Sequence, residues 1–526
     1  MVRTLTAAML SGLLLQLAAS PVEWWWVSGF ALVPVLVALE QRGGRDWLIC
    51  GAVIGLMNGA CVVDAGAKWG PTVVLFFVLF VTLLHVVPFA LAGLLAPRMA
   101  EGYRPFAYMG SWLLFVWCMD EFIYTPVLLS APVALHSRLA LSLVPQVGII
   151  GLEALVVGIS VGLSVGWLIG GPGRRRSVHL RNIATPRRWG YALAAAAAVV
   201  SAVLLAGAWS TPLHSKGQGR LVGVQPNIHW MDFSASGWSL ERRRHIERTL
   251  DSMTIEAARK AGSKGTIVWP ENGNSLPNAQ LSRRKNKLAS ILASTGADLL
   301  APGHELVDGR SFLSVFRFAA DKVTARARKA HLLPMAESDL SAGHPTVIDS
   351  HAGALGVAIC YDVLFSGHVR SLARQGAEIL IVTTDDTSFG LSSVPRRHLS
   401  YAILRAAEVG RPMLFVSNEG PSSSYEPIGH TVRVYSKDRA RTVYEVELPR
   451  MKGQTPAVAG FRHGVVMLLV VGLVLALRTK PLGACRHLSW PAYAAPVLAT
   501  VLGITADFGA RAAYTRGGFS SLIVDL

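Results

Sequence analysis

The 526-residue chain is poor in charge and in cysteine. Charged residues make up 16% of it and hydrophobic residues 52%, with a mean hydropathy of +0.41. That scarcity excludes an ordinary soluble protein and suits a chain with several membrane spans. Acidic residues are short as well, 33 against 50 lysines and arginines, which leaves a net charge of +17. Much of the basic excess lies in short loops between apolar runs. Membrane topology explains it there better than nucleic acid does, so no nucleic-acid partner is expected. Five cysteines occur, Cys50, Cys61, Cys118, Cys360 and Cys485, without metal-ligand spacing. No zinc or haem motif is present, and neither a metal nor a cofactor is expected. Internal repeats and low-complexity tracts are absent.

What the chain does have is long apolar runs. Spans are expected near residues 5–20, 24–39, 47–65, 71–96, 106–129, 145–170 and 189–209, with a further span at 460–477 and a possible short one at 493–504. The first, with one arginine and an Ala18-Ala19-Ser20 end, also has the form of a cleavable signal peptide. Basic residues cluster in the loops at 41–45, 98–104 and 174–188, which follow the second, fourth and sixth runs. These loops share one side, which the positive-inside rule makes cytoplasmic. Residues from about 211 to 453 then lie outside the cell membrane. The expected organisation is a transmembrane bundle of about seven spans over 1–210, an extracytoplasmic domain over 211–455 and a C-terminal membrane segment and tail over 456–526. Asp64, Lys68, Asp120, Glu121 and Glu153 fall in or near these spans. Asp64 and Lys68 read as interfacial, whereas Glu121 and Glu153 lie deep enough to pair inside the bundle or line a lipid-entry groove.

The outer segment differs in kind. It is mixed in charge and alternates short apolar runs with helical patterns, as one α/β domain does. Strands are expected at 221–224, 266–269, 298–301, 312–318, 355–359, 378–383 and 413–417, and helices at 239–261, 281–294, 368–375 and 398–409. Two late strands, 431–435 and 442–448, read as a hairpin.

Cys360 is the only cysteine of this segment, so no disulfide can form within it. It ends the run Leu355-Gly356-Val357-Ala358-Ile359, at the lip of an open sheet where ligands usually bind. Alone, it reads as a small core residue. Glu271 closes another such strand, after Thr266-Ile267-Val268-Trp269-Pro270, and Lys329 opens Lys329-Ala330-His331-Leu332-Leu333-Pro334. A thiol needs a base or a cation near it to act near neutral pH. A buried carboxylate can take its proton, and an ammonium can hold a tetrahedral oxyanion. Spacing alone does not bring the three together.

Trp269-Pro270-Glu271, the Lys329–Pro334 stretch with Glu337, and Ile359-Cys360-Tyr361-Asp362 resemble, in order, the Glu-Lys-Cys signatures of the nitrilase superfamily. Together with the membrane layout, and with Val224-Gln225-Pro226-Asn227-Ile228, Arg405–Pro412 and Ser417-Asn418-Glu419-Gly420, the chain is similar to the apolipoprotein N-acyltransferases. The resemblance implies a polytopic α-helical membrane bundle plus an α/β nitrilase-like αββα sandwich. It implies Cys360 as nucleophile, Glu271 as general base and Lys329 as oxyanion stabiliser, with Glu337, Tyr361 and Asp362 behind them. It also implies a phospholipid acyl donor, a lipoprotein acyl acceptor and a bacterial inner-membrane location. Two departures bear on the substrate: Asp362 stands where the family usually has Glu, and Asp385-Asp386-Thr387-Ser388-Phe389 lacks the family's tryptophan. A membrane-tethered amidase, or an acyltransferase with another amine acceptor of the conjugation or pilin kind, is the alternative. A non-catalytic scaffold that keeps the fold is a third reading, against which the intact Glu271, Lys329 and Cys360 stand.

Overall fold

The computed structural model describes residues 1–19, 22–60, 66–99, 104–122, 128–170, 211–228, 240–271, 278–319, 322–333, 337–389, 394–436 and 440–461. The first part is helical: α1 Val2–Ala18, a 3-10 turn Trp25–Gly29, α2 Val33–Ala38, α3 Gly44–Gly59, α4 Gly66–Leu95, α5 Pro105–Phe122, α6 Ala131–His136 and α7 Arg138–Gly170. Two stretches, Gly70–Arg98 and Arg138–Leu168, are long and apolar enough to cross a bilayer. Helix α4 is broken at Gly70 (φ 77°) just before Pro71, and α7 at Gly148 (φ 71°) shortly after Pro145, conformations that glycine adopts without strain.

The run at 24–39 is not one helix. It is the 3-10 turn followed by the six-residue α2, because Pro34 can only sit in the first turn of a new helix. The helix expected over 106–129 ends at Phe122, and residues 128–130 lead into α6 instead. The runs at 189–209 and 493–504, and all but the first two residues of 460–477, lie outside the described residues.

The second part is built on two six-stranded sheets. Its strands are β1 Thr211–Gln225, β2 Gly265–Val268, β3 Asp298–Val307, β4 Arg310–Ala319, β5 Lys322–Arg328, β6 Thr346–Ser350, β7 Gly353–Ile359, β8 Ile379–Thr384, β9 Met413–Ser417, β10 Ser422–Glu426, β11 Thr431–Ser436 and β12 Thr442–Gln454. The helices are α8 Leu240–Ala261, α9 Asn278–Ala293, α10 Ser366–Arg374 and α11 Val394–Val409. One sheet has the order β12-β1-β2-β3-β4-β5 and the other β11-β10-β9-β8-β7-β6. In each, the three middle strands joined by helical crossovers are parallel and the flanking strands antiparallel.

Alternate residues of these strands build different cores. Leu221, Val268, Leu300, Leu355, Val357, Ile359, Ile381 and Val416 fill the space between the sheets. Val222, Ile267 and Leu299 face α8 and α9 with Leu250, Ala257, Leu288 and Leu292. Ala358, Leu380 and Val382 face α10 and α11 on the other side. The result is four layers, α–β–β–α. Strands covered on both faces read as unbroken apolar runs, which is why β2 and β7 are visible in the sequence.

The expected hairpin at 431–448 does not form. Strand β11 pairs with β10 in one sheet and β12 with β1 in the other. The two meet face to face instead, with the Tyr435 and Tyr444 rings stacked at 4.8 Å across the sandwich.

The helical part and the sandwich share a single core on the α10–α11 side. At that seam Asp120, in the last turn of α5, takes Arg405 Nη2 of α11 at 2.5 Å and lies 3.6 Å from Arg370 of α10. Ser366 Oγ donates to the Asp120 carbonyl at 2.7 Å, and Arg370 also reaches Glu121 at 3.5 Å. Glu408 completes the cluster, 3.5 Å from Arg405. All but Glu121 are buried, and removing one partner of a buried pair costs about 3–5 kcal/mol. Glu153 pairs inside the bundle, as one of the two expectations had it. Its carboxylate accepts from Trp112 Nε1 at 2.8 Å and from the Leu129 and Ser130 N–H groups at 2.9 and 3.0 Å, so it ties α5 and α7 to the start of α6.

Candidate active site

Three strand ends converge. Glu271 follows β2, Lys329 follows β5, and Cys360 follows β7, at adjoining ends of the two sheets. Lys329 Nζ lies 3.0 Å from Glu271 Oε1 and 2.6 Å from Glu337 Oε1. Glu271 and Lys329 are 4% and 1% exposed, while Cys360 is only partly covered. The two partners are sealed in protein, and Cys360 is the least covered residue of the three.

Each carboxylate is doubly held. Glu271 Oε2 accepts from the Asp385 N–H at 3.1 Å, and Glu337 Oε2 from the Leu333 N–H at 2.7 Å. Lys329 is fixed through its own backbone, donating to the Leu313 carbonyl at 2.8 Å and accepting from the Gly343 N–H at 2.7 Å. Rotamers locked in this way keep a site within the tolerance that catalysis needs.

Cys360 itself is strained. It sits at φ +49°, left-handed for a residue with a side chain, as β7 turns into the 3-10 segment Cys360–Leu364. Such a conformation costs on the order of 1–3 kcal/mol and persists only where surroundings over-determine it. It lifts the side chain out of the strand line, a turn geometry that enzymes use to expose nucleophiles.

The charge balance sets the protonation. Burial pushes the Glu271 carboxyl up, against the pull of Lys329. Burial alone would lower Lys329, but Glu271, the thiol and Glu337 outweigh it, so the ammonium stays charged. Burial and Glu271 push the Cys360 thiol well above its ordinary value, with Lys329 acting in the opposite direction. One ammonium facing two carboxylates cannot also hold a resting thiolate. The arrangement is a neutral thiol beside a base of raised pKa, suited to proton transfer during attack.

Asp362 joins the lysine and cysteine segments. Its Oδ1 accepts from the Ala330 and His331 N–H groups at 3.1 and 2.7 Å, and its Oδ2 from the Ile359 N–H at 3.1 Å. His331 Nδ1 lies 3.0 Å from Oδ1, and the His331 ring stacks on Phe365 at 3.7 Å. His368 Nδ1 is 3.9 Å away. The ligand atoms of His331, Asp362 and His368 lie within 4.8 Å of one another, a grouping that could hold a metal ion. Both carboxylate oxygens already take backbone N–H bonds, so the cluster ties chain segments together. Burial would raise Asp362, but the nearby imidazoles, His368 foremost, outweigh it and hold its carboxyl below the usual range. Tyr361 is nearly buried, its ring edge-on to Phe365 at 5.1 Å.

The sequence reading missed the polar floor of the site. Asn418 donates to the Ile228 carbonyl at 2.8 Å and lies 3.2 Å from Asp385 Oδ1, which places Asp385 under Glu271. His398 lies 3.1 Å from both Asp386 and the Cys360 carbonyl. The stretch 385–389 reads only as an altered family motif, and His398 follows two arginines without any local signal.

Residues 238–438 match the carbon-nitrogen hydrolase family. The chain is 27% identical over 473 residues to an apolipoprotein N-acyltransferase of Gloeobacter violaceus, which covers 81% of this chain and 85% of that protein. It is 28% identical over 240 residues to an apolipoprotein N-acyltransferase of Rickettsia prowazekii, 40% of this chain and 47% of that one. Among solved structures, an amidase from Nesterenkonia sp. AN1 is similar at 18% identity and a TM-score of 0.35, over 45% of this chain and 92% of that one. Saccharomyces cerevisiae Nit3, of the nitrilase superfamily, is similar at 20% identity and a TM-score of 0.34, over 48% of this chain and 95% of that one.

Proposed function

From a chain of the nitrilase superfamily that resembles the apolipoprotein N-acyltransferases, we propose an N-acyltransferase that moves a fatty acyl chain from a phospholipid to the free α-amine of a diacylglyceryl-cysteine lipoprotein. The observation that carries this reading is the buried Glu271–Lys329 pair, with the partly covered Glu337 on the other side of the ammonium, set against a partly covered, strained Cys360. No cofactor is needed for such chemistry.

Glu271 takes the Sγ proton as the sulfur attacks the donor's ester carbonyl, and Lys329 holds the oxyanion that develops. Collapse breaks the ester C–O bond. The leaving lysophospholipid oxygen takes the proton back from Glu271, and a thioester remains on Cys360. The amine then attacks, its proton passes through Glu271 to the departing sulfur, and the C–S bond breaks to give an amide and the free thiol. Glu337 steers Lys329, and Asp362 keeps the lysine and cysteine segments in register. Tyr361 packs behind the turn.

Both substrates are lipid-anchored, which asks for a site at a bilayer surface. In support, α4 and α7 expose Leu75, Phe76, Leu79, Leu155, Leu163 and Trp167, apolar side chains with no place in water. We read residues 1–210 as the membrane bundle, 211–455 as the catalytic domain outside the cytoplasm and 456–526 as a return to the membrane, in a bacterial inner membrane. A reporter fused after Lys452 should read as extracytoplasmic, and a cytoplasmic reading there would overturn this orientation.

The acyl acceptor decides between transferase and amidase. Full-length protein incubated with phospholipid and a diacylated lipopeptide should add one acyl chain to the peptide's α-amine, read by mass spectrometry. An unmodified lipopeptide with free fatty acid accumulating would make the protein a hydrolase.

A further inference from the structure

Helix α11 brings a histidine against the back of the nucleophile's own peptide. His398 is 8% exposed, and its two ring nitrogens have separate partners. Nδ1 lies 3.1 Å from Asp386 Oδ1, and Nε2 lies 3.1 Å from the carbonyl oxygen of Cys360. The ring is wedged edge-on against Phe415 at 5.3 Å. Asp386 is itself buried and accepts from the Thr384 hydroxyl at 3.2 Å.

Both partners of the ring are acceptors. A backbone carbonyl carries no proton, and neither does an ionised carboxylate, so each ring nitrogen must donate and the ring is an imidazolium. Charge agrees with geometry: burial would lower His398, but Asp386, with a further pull from Glu271, outweighs it and holds the ring above the ordinary histidine range. The peptide that receives the Nε2 hydrogen bond is the one at φ +49°, whose left-handed turn needs an outside restraint.

We propose that His398, seated on Asp386, is a positioning residue for the nucleophile: it pins the Cys360 peptide in its left-handed turn and sets a fixed positive charge behind the thiol. The proposal rests on reading Cys360 as the nucleophile. The charged groups that face this assembly are Asp386 and Asp385 after β8, Glu271 after β2 and Lys329 after β5. Glu271 and Asp386 both raise the thiol, so the imidazolium offsets part of an anionic surround. Neutralising it leaves the carboxylates less opposed and makes the thiol harder to ionise.

The two contributions separate by substitution. Asp386→Asn keeps the bond from His398 Nε2 to the Cys360 carbonyl but removes the carboxylate and the ring's charge together, whose effects on the thiol oppose each other. His398→Gln keeps an N–H donor toward that carbonyl without a charge, and His398→Ala removes both. The readout is alkylation of Cys360 by iodoacetamide in the full-length protein in detergent, followed by peptide mass spectrometry across a pH series. Alkylation needs neither phospholipid nor amine, so it reads the thiol whether the protein is a transferase or a hydrolase.

His398→Gln should move the alkylation midpoint to higher pH by about one unit, roughly a tenfold slower reaction below it, whereas Asp386→Asn, which removes a negative and a positive charge together, should move it less. His398→Gln should restore the high-pH plateau that His398→Ala lowers. A midpoint unchanged in His398→Gln would overturn the electrostatic half. A His398→Ala plateau equal to that of the unaltered protein would overturn the positioning half. If His398→Ala does not fold, His398→Gln decides alone: an unmoved midpoint overturns the charge, and a plateau below that of the unaltered protein overturns the role of the donor.

Discussion

Cys360→Ala should abolish acyl transfer and leave no acyl adduct on the domain. Among residues 211–455 there is no second cysteine to take over. The methyl group that replaces the thiol fits the same space, so the fold should survive and the loss should be chemical. Cys360→Ser is the sharper comparison. Glu271 has a raised pKa suited to deprotonating a thiol, but an alcohol is a far weaker acid than a thiol. The surroundings already push the thiol upward, so a hydroxyl there should stay protonated through the encounter with the donor. Activity of Cys360→Ser should fall by roughly the 10²–10⁴ that positioned proton transfer contributes, or more. An acyl adduct that persists on the domain of Cys360→Ala would remove Cys360 from its role.

Lys329→Arg should be almost as damaging although it keeps the charge. The ammonium sits between two carboxylates at 3.0 and 2.6 Å, a pocket shaped for a compact group. A planar guanidinium would pair with Glu271 and Glu337 in a fork and present no donor of the right direction to an oxyanion. Loss of one oxyanion donor costs about 10²–10³ in kcat. The fall should be in kcat, with Cys360 alkylation still measurable. Lys329→Met is the less informative change, because it leaves the buried Glu271 without its cation and costs stability as well. Transfer by Lys329→Arg at close to the original rate would mean that the ammonium is structural.

The legible and the illegible parts of this chain divide by burial. Strands β2, β7, β8 and β9 are covered on both faces, so each is a plain apolar run, and their ends mark Glu271 and Cys360. Strands β5 and β6 lie at sheet edges and carry polar residues, Lys322–Arg328 and Thr346–Ser350, which hid them. Strand β10, Ser422–Glu426, is held by serine hydroxyls and backbone, such as Ser422 Oγ to Gln225 Oε1 at 2.6 Å, not by an apolar pattern.

The mistaken hairpin has a different origin. Neighbouring strands pair so often that 431–435 and 442–448 were natural partners, yet β1 offers β12 a long antiparallel edge from Gln218 to Gln225. Tertiary competition decides that choice, and it leaves no local mark. The same holds for the site. The lysine and the two strand-end residues are readable as types, but Asp362 bridging Ala330 to Ile359, and His398 beneath Cys360, follow from how α11 and the 3-10 turn pack. Asp120 shows the limit from the other side. Read as one more charge near a span end, it is a partner of Arg405 and Arg370 across the seam between helices and sandwich.

The most direct test of the account separates the two half-reactions. Full-length protein in phospholipid nanodiscs, with no amine present, should accumulate a hydroxylamine-sensitive acyl group on Cys360, because the thioester can wait only where water is kept out. A lipopeptide with a free N-terminal amine should discharge it, and the same peptide acetylated at that amine should leave it intact. Steady release of free fatty acid without an acceptor, or no acyl group on Cys360 at any time, would contradict the account.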